Sequence, residues 1–126
     1  MNVLLDTCAL LALADGSLPD RASAALRQAA EAHVSSVTAW EIAIKHAAGK
    51  LRLTESPADW FAGLLEHYDL LEAPLQASVA CAAALLPPIH RDPFDRVIVA
   101  LAQARGLVVL TSDEHICQYP GVTTRW

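Results

Sequence analysis

Short aliphatic runs alternate along the chain with longer alanine-rich segments whose apolar residues recur every three or four positions. Runs of four or five aliphatic residues bounded by polar ones are typical of buried strands, and the longer spacing is typical of helices that pack on a sheet. Regular alternation of the two predicts an α/β fold built around a central, mostly parallel sheet.

The pattern predicts strands over residues 2–5, 33–36, 68–72, 107–111 and 122–124. It predicts helices over residues 7–14, 19–32, 37–48, 58–67, 76–86 and 93–105. Pro19 and Pro93 suit the first positions of helices, while Gly49 and Gly106 suit positions just beyond helix ends. No repeat, low-complexity tract or linker divides the chain, so we expect one domain over residues 1–126.

Composition also bears on the cellular compartment of the protein and on the redox state of its cysteines. With 54% of residues hydrophobic and 18% charged, disorder is not expected. The chain has no apolar run long enough for a membrane span, and Asp6 and Asp15 stand where a signal peptide would carry basic residues, which predicts a cytoplasmic protein. Cys8, Cys81 and Cys117 are odd in number and widely spaced, so we expect reduced thiols rather than disulfides or structural zinc.

The charge balance is acidic, with 14 acidic against 9 basic residues and a formal net charge of −5. Such a balance argues against nucleic-acid binding through a broad basic face. A role on nucleic acid would therefore require a different device.

Four acids occupy positions where parallel sheets bind ligands. Asp6 and Asp113 follow predicted strands, and Glu41 and Asp95 lie near predicted helix starts. If both helices begin at the same edge of the sheet, the carboxylates converge and need a compensating cation. All-oxygen ligation favours Mg²⁺ or Mn²⁺, and such an ion is suited to phosphodiester hydrolysis through a bound water.

Each acid also has a purely structural interpretation. Asp92 is suited to be the N-cap before Pro93, and Thr38 with Glu41 matches a capping box. Asp6 and Asp113 are suited to cap short helices that follow them. Taken singly these structural roles are favoured, and only the joint pattern indicates a common site.

Four ordered blocks resemble the PIN-domain ribonucleases, and within them the VapC-type toxins of bacterial toxin–antitoxin pairs. The blocks are LLDTCALL at 4–11, SSVTAWEIAIKHAAGKL at 35–51, LPPIHRDPFDRVIVALA at 86–102 and VLTSD at 109–113. Any one block is a weak signal, whereas four in order across nearly the whole chain are specific.

The resemblance implies a three-layer α/β/α domain in which Asp6, Glu41 and Asp95 are catalytic metal ligands and Asp113 is a more distant or water-mediated fourth. It further implies a Mg²⁺-dependent endoribonuclease acting on RNA such as tRNA, rRNA or mRNA, with a cognate antitoxin and a homodimeric assembly. Leu101 departs from a glutamine frequent in the family, which bears on local packing rather than on the acids.

Four further residues are candidates for substrate contacts. Lys45 lies one helical turn after Glu41, so it can pair with that acid or meet an incoming phosphate. Arg96 can hold substrate or brace its neighbouring acid, and Thr7 and Ser112 can orient ligands or act as caps.

The two histidines near the acids are expected to have surface or supporting roles. His90 and His115 lack the spacing of a zinc-binding helix, which does not favour direct ligation.

Two other classes of function remain as alternatives. A catalytically silent PIN-like module that binds RNA or a partner would share the fold, although the retention of all four acids argues against it. A phosphoacceptor receiver domain would need an acidic pair after the first strand and a late lysine, and this chain has neither.

Assigning four acids to one site leaves ten acidic against nine basic residues elsewhere. The net negative charge is then concentrated at the predicted metal site, and the rest of the domain is nearly neutral.

Overall fold

A computed structural model describes residues 1–126 as a five-stranded sheet flanked by six α-helices and one short 3₁₀ helix. The strands are β1 (Val3–Leu5), β2 (Ala32–Ser35), β3 (Leu71–Ala73), β4 (Val108–Leu110) and β5 (Thr124–Arg125). The helices are α1 (Thr7–Asp15), α2 (Asp20–Gln28), α3 (Ser36–Ala47), α4 (Pro57–His67), α5 (Ala77–Ala84) and α6 (Pro93–Arg105), with the 3₁₀ helix at Ile116–Gln118. No helix has both the length and the apolar character needed to cross a membrane.

The strand order is β3-β2-β1-β4-β5, and every neighbouring pair is parallel. The predicted α/β fold with a mostly parallel central sheet is therefore confirmed. From β1 the chain builds outward through β2 and β3, then returns to the other side of β1 for β4. The strand order thus reverses between β1 and β4, which leaves a crevice beyond their carboxyl ends where ligands of such sheets bind.

Alternation along the strands divides the core between the two faces of the sheet. Leu4 and Val109 face one core with residues of α5 and α6, while Val3, Leu5 and Leu110 face the other with residues of α1, α2 and α4. Because side chains on a strand point alternately to opposite faces, fully apolar strands require helices on both sides. This arrangement gives the three-layer α/β/α structure.

Two element boundaries differ from the sequence prediction by three residues or more. The helix expected over 19–32 ends at Gln28, because Ala29 is extended with ψ 139°. The next residues lead into β2 beside the central strand β1, where the Val3 N–H donates to the Glu31 carbonyl oxygen. The strand expected over 68–72 begins only at Leu71, because Asp69 turns the chain with φ 53° after α4. Each helix is thus followed by a turn that the apolar spacing does not reveal.

One buried side chain lacks the hydrogen bonds that burial usually demands. His33 on β2 is 3% exposed, and neither ring nitrogen has a hydrogen-bond partner. Its Nε2 lies 3.6 Å from Glu31 Oε1, beyond hydrogen-bond reach. Burial lowers the pKa of His33, and the nearby positive charge of Arg105 lowers it further.

His33→Leu should raise the free energy of unfolding by about 1 kcal/mol at pH 7.5, because it removes buried polar atoms that lack partners. The advantage should grow as the pH falls. A histidine whose pKa is lowered by folding contributes most stability above its ordinary pKa of 6.5 and loses it below that value. Urea unfolding of wild type and variant between pH 5 and 8 measures both effects, with the exposed His67→Ala as control; a pH-independent difference would contradict the interpretation.

Candidate metal centre

A cavity of about 440 Å³ opens at the crevice between the carboxyl ends of β1 and β4. Polar and acidic side chains form most of its lining. The lining residues are Asp6, Thr7, Cys8, Leu11, Glu41, Lys45, Asp92, Asp95, Ser112 and Asp113. All four predicted ligand acids therefore meet in one cavity, although they come from positions up to 107 residues apart in the chain.

Asp6 stands directly after β1 and is 3% exposed. Its Oδ1 accepts the Ala9 N–H at 2.8 Å, so it is the N-cap of α1 as well as a wall of the cavity. Burial raises the pKa of Asp6 from 3.8 to about 6, despite hydrogen bonds from the Thr111 side chain and the Ala9 backbone that favour the charged form. The structural and the site interpretations of this residue are thus compatible.

Glu41 lies in the second turn of α3, whose N-cap is Ser35 and whose start therefore does not use the capping box. Its carboxylate is bound on both oxygens. Thr7 Oγ1 donates to Oε1 at 2.6 Å, and Lys45 Nζ lies 2.8 Å from Oε2. These contacts aim the carboxylate into the cavity.

Two acids of the DPFD segment have different roles at the start of α6. Asp92 is the N-cap and accepts the Phe94 N–H at 2.9 Å, as expected, yet its side chain also lines the cavity. Asp95 sits in the first turn of the same helix. Burial, followed by the charge of Asp92, raises the pKa of Asp95 to about 7.

Asp113 lies beyond β4 and is bound by two histidines. Its Oδ2 lies 2.7 Å from His90 Nε2, and its Oδ1 accepts the His115 backbone N–H at 2.8 Å. Burial disfavours the ionised carboxylate, but these hydrogen bonds outweigh it and hold the pKa of Asp113 below its ordinary value. Hydrogen bonds from His90 and His115 thus occupy both carboxylate oxygens of Asp113.

The predicted substrate contacts are only partly brought together. Lys45, Thr7 and Ser112 line the cavity, with Ser112 Oγ 3.5 Å from Cys8 Sγ. Arg96 does not line the cavity, and a substrate contact there stays a prediction. Its guanidinium instead donates to backbone carbonyl oxygens of Ala84, Leu86, Pro87 and His90.

The donor set of the cavity fits a hard divalent cation. Its carboxylates offer oxygen donors, which Mg²⁺ and Mn²⁺ prefer. The raised pKa values of Asp6 and Asp95 reflect burial first and neighbouring negative charges second. A bound dication would reverse both effects by favouring the ionised carboxylates.

The cluster of His90, Asp113 and His115 also brings three ligand atoms within 4.8 Å of one another. Hydrogen bonding argues against nitrogen ligation by His90, however. Its Nδ1 accepts the Asp92 backbone N–H at 3.1 Å, so the ring proton lies on Nε2, the atom that faces the carboxylates. An Nε2 that donates a hydrogen bond has no free lone pair for a metal.

Sequence reasoning gave His90 no definite partner, and the structure supplies one. Nε2 of His90 lies 2.7 Å from Asp113 Oδ2 and 3.1 Å from Asp95 Oδ2. No spacing rule could pair residues 90 and 113, which meet only through tertiary structure. The available signal was the position of His90 inside the block that carries Asp95.

Comparison with known proteins places this geometry in a family. A family model described as PIN domain matches residues 3–122. No curated protein matches the sequence.

Several solved structures share the fold. One is a VapBC2 complex from Rickettsia felis bound to a promoter DNA fragment, with TM-score 0.71, 15% identity and coverage of 98% of this chain and 97% of that one. A toxin–antitoxin complex from Klebsiella pneumoniae has TM-score 0.66, 21% identity and coverage of 97% and 96%. DNA-bound VapBC from Salmonella typhimurium has TM-score 0.65, 20% identity and coverage of 98% and 96%.

Asp6→Asn should stabilise the metal-free protein at high pH. A carboxyl whose pKa is raised by folding contributes most stability below the pKa of the unfolded chain, and it loses that stability as the pH rises through 6. The asparagine keeps the cap to Ala9. In EDTA, the free energy of unfolding of the variant minus that of wild type should therefore be about 2 kcal/mol larger at pH 8 than at pH 4.

Urea unfolding in EDTA at both pH values measures this change, and saturating Mg²⁺ provides the comparison. Added Mg²⁺ should stabilise wild type more than the variant. If the difference in free energy of unfolding between variant and wild type is the same at pH 4 and pH 8, folding does not disfavour the ionised form of Asp6.

Proposed function

Because this chain belongs to the PIN-domain family, we propose that it is a metal-dependent endoribonuclease and the toxin of a toxin–antitoxin pair. The observation that carries the nuclease proposal is the meeting of Asp6, Glu41, Asp95 and Asp113 around one cavity. A cluster of buried acids is costly without a cation, and its oxygen donors suit Mg²⁺ or Mn²⁺.

The four acids would hold the cation, which would lower the pKa of a bound water and attract a phosphate oxygen. The chain's own contacts prepare this arrangement. The Ala9 N–H fixes Asp6, and Thr7 fixes Glu41. Two of the ligands are thus oriented before any ion arrives, which reduces the ordering that binding requires.

Lys45 is the cavity's basic residue and supports an anionic substrate. Its Nζ lies 2.8 Å from Glu41 Oε2, and the hydrogen bond to that carboxylate raises its pKa, so it remains protonated. The side chain is 43% exposed. Once a cation satisfies Glu41, the ammonium group is free to meet a phosphate of the RNA backbone. Thr7 and Ser112 lie beside it as hydrogen-bonding groups.

The proposed antitoxin partner rests on the solved complexes that share the fold and on an exposed apolar face beside the cavity. Trp40 is 61% exposed and Ile44 45% exposed, one turn apart on the helix that carries Glu41. Exposed aromatic and aliphatic side chains near one another are typical of protein interfaces. We propose that an antitoxin covers this face and the cavity, and that the toxin is a homodimer.

The decisive experiment is cleavage of purified total RNA by the chain in Mg²⁺ or Mn²⁺. Asp6→Asn and Asp95→Asn should each lower the cleavage rate by more than about 100-fold, because loss of a direct ligand costs more than loss of an outer partner. EDTA should abolish cleavage, and restored Mg²⁺ should recover it.

Asp20→Asn is the matched control, since Asp20 is an exposed acid in the first turn of α2. It should cleave like wild type. If Asp6→Asn and Asp95→Asn cleave like wild type, or if EDTA leaves cleavage intact, the proposal of a metal-dependent nuclease fails. If wild type cleaves no RNA in either metal, a silent RNA-binding or partner-binding module becomes the better interpretation.

Co-expression with the product of a small neighbouring gene tests the partner separately. The complex should survive size-exclusion chromatography and should suppress RNA cleavage. Trp40→Ala and Ile44→Ala should weaken the complex by at least about tenfold, whereas Leu85→Ala, which removes an 86% exposed apolar residue on a different helix end, should not. Free cleavage in the presence of every neighbouring product would exclude an antitoxin among them.

A further inference from the structure

His90 stands between two of the proposed ligand acids. Its Nε2 lies 2.7 Å from Asp113 Oδ2 and 3.1 Å from Asp95 Oδ2. The contact with Asp113 is a hydrogen bond, whereas the Asp95 oxygen lies close to the same nitrogen without one. His90 therefore lies between carboxylates from two different elements, the start of α6 and the loop after β4. No other side chain joins these two acids directly.

The orientation of this donor is fixed by the backbone. The Asp92 N–H donates to His90 Nδ1 at 3.1 Å. A backbone N–H can only donate, so Nδ1 accepts and the ring proton is on Nε2. The loop geometry thus selects the tautomer that donates to Asp113, beside Asp95.

The loop that carries His90 is itself held from both sides. The His90 N–H donates to Tyr119 Oη at 2.8 Å, and Tyr119 is buried in the core. Arg96 donates to the His90 carbonyl oxygen at 3.2 Å and to the Leu86 carbonyl oxygen at 2.8 Å. Every hydrogen-bonding group of His90 is therefore in use, which is how a supporting residue keeps a ligand oriented.

We propose that His90 is a positioning residue whose Nε2 proton holds the Asp113 carboxylate beside Asp95 for the cation. The inference rests on the proposed function, since it concerns the same cation. His90 contributes no ligand atom. Its hydrogen bond occupies Oδ2 of Asp113 and leaves the Asp95 carboxylate, together with the remaining lone pairs of Asp113, for the ion.

Two substitutions separate the two ring nitrogens. In His90→Gln, the amide nitrogen can take the place of Nε2 and keep the donor to Asp113. In His90→Asn, the amide oxygen can take the place of Nδ1 and keep the acceptor for the Asp92 N–H, while the donor is lost. His67→Ala is the control, because His67 is exposed at the end of α4.

The readout is Mn²⁺ affinity measured by electron paramagnetic resonance without RNA, with thermal melts in EDTA for folding. His90→Asn should weaken Mn²⁺ binding about tenfold, as loss of an outer partner typically does. His90→Gln should remain within about threefold of wild type, and His67→Ala should match it. A purely structural role would lower the melting temperature of both His90 variants without separating their Mn²⁺ affinities.

The outcomes distinguish the two proposals. If wild type binds no Mn²⁺, the metal-dependent function fails and this inference fails with it. If wild type binds Mn²⁺ but His90→Asn binds equally or more tightly, only the positioning role of His90 is overturned. Should the variants not fold, long-range ¹H–¹⁵N spectra of wild type decide, since a proton on Nδ1 rather than Nε2 would overturn the inference.

Discussion

The mutual repulsion of carboxylates at one edge of the sheet is the constraint on which the rest of the site depends. Asp6, Glu41, Asp95 and Asp113 share a cavity, and the first is almost fully buried. Charges so placed raise one another's pKa unless donors or cations compensate. Three of the acids accordingly have a donor: a backbone N–H for Asp6, a threonine hydroxyl and a lysine for Glu41, and a histidine for Asp113. The same histidine lies 3.1 Å from Asp95 without a hydrogen bond.

These donors also stabilise the fold, so the same hydrogen bonds serve both the helices and the site. The N–H that fixes Asp6 is an unpaired donor of the first turn of α1, and a capping carboxylate satisfies it whether or not a cation is present. Asp92 does the same for α6 while it lines the cavity. A helix start at the carboxyl edge of a parallel sheet therefore supplies both an acid and the means to hold it.

The sequence was sufficient for the parallel sheet with its alternating helices, because these follow from apolar periodicity. It predicted the convergence of the four acids only on the condition that two helices begin at the same edge of the sheet. It could not supply contacts set by tertiary packing. Arg96 illustrates the limit, because only the folded loop shows carbonyl oxygens within reach of its guanidinium. Similarly, α2 ends at Gln28 because the chain must leave the helix for Ala32 to pair with Val3 in the sheet. Local helix propensity does not predict this end.

The central position of β1 has a consequence for the order of events during synthesis. Val3 pairs with Val108, a contact that joins the beginning of the chain to a segment made more than a hundred residues later. Contacts so distant in sequence form late, since the intervening chain must first be ordered. The cavity therefore does not exist on a growing chain until β4 has emerged and taken its place. Under the proposed function, a ribosome making this protein is not exposed to its activity until the fold itself has closed.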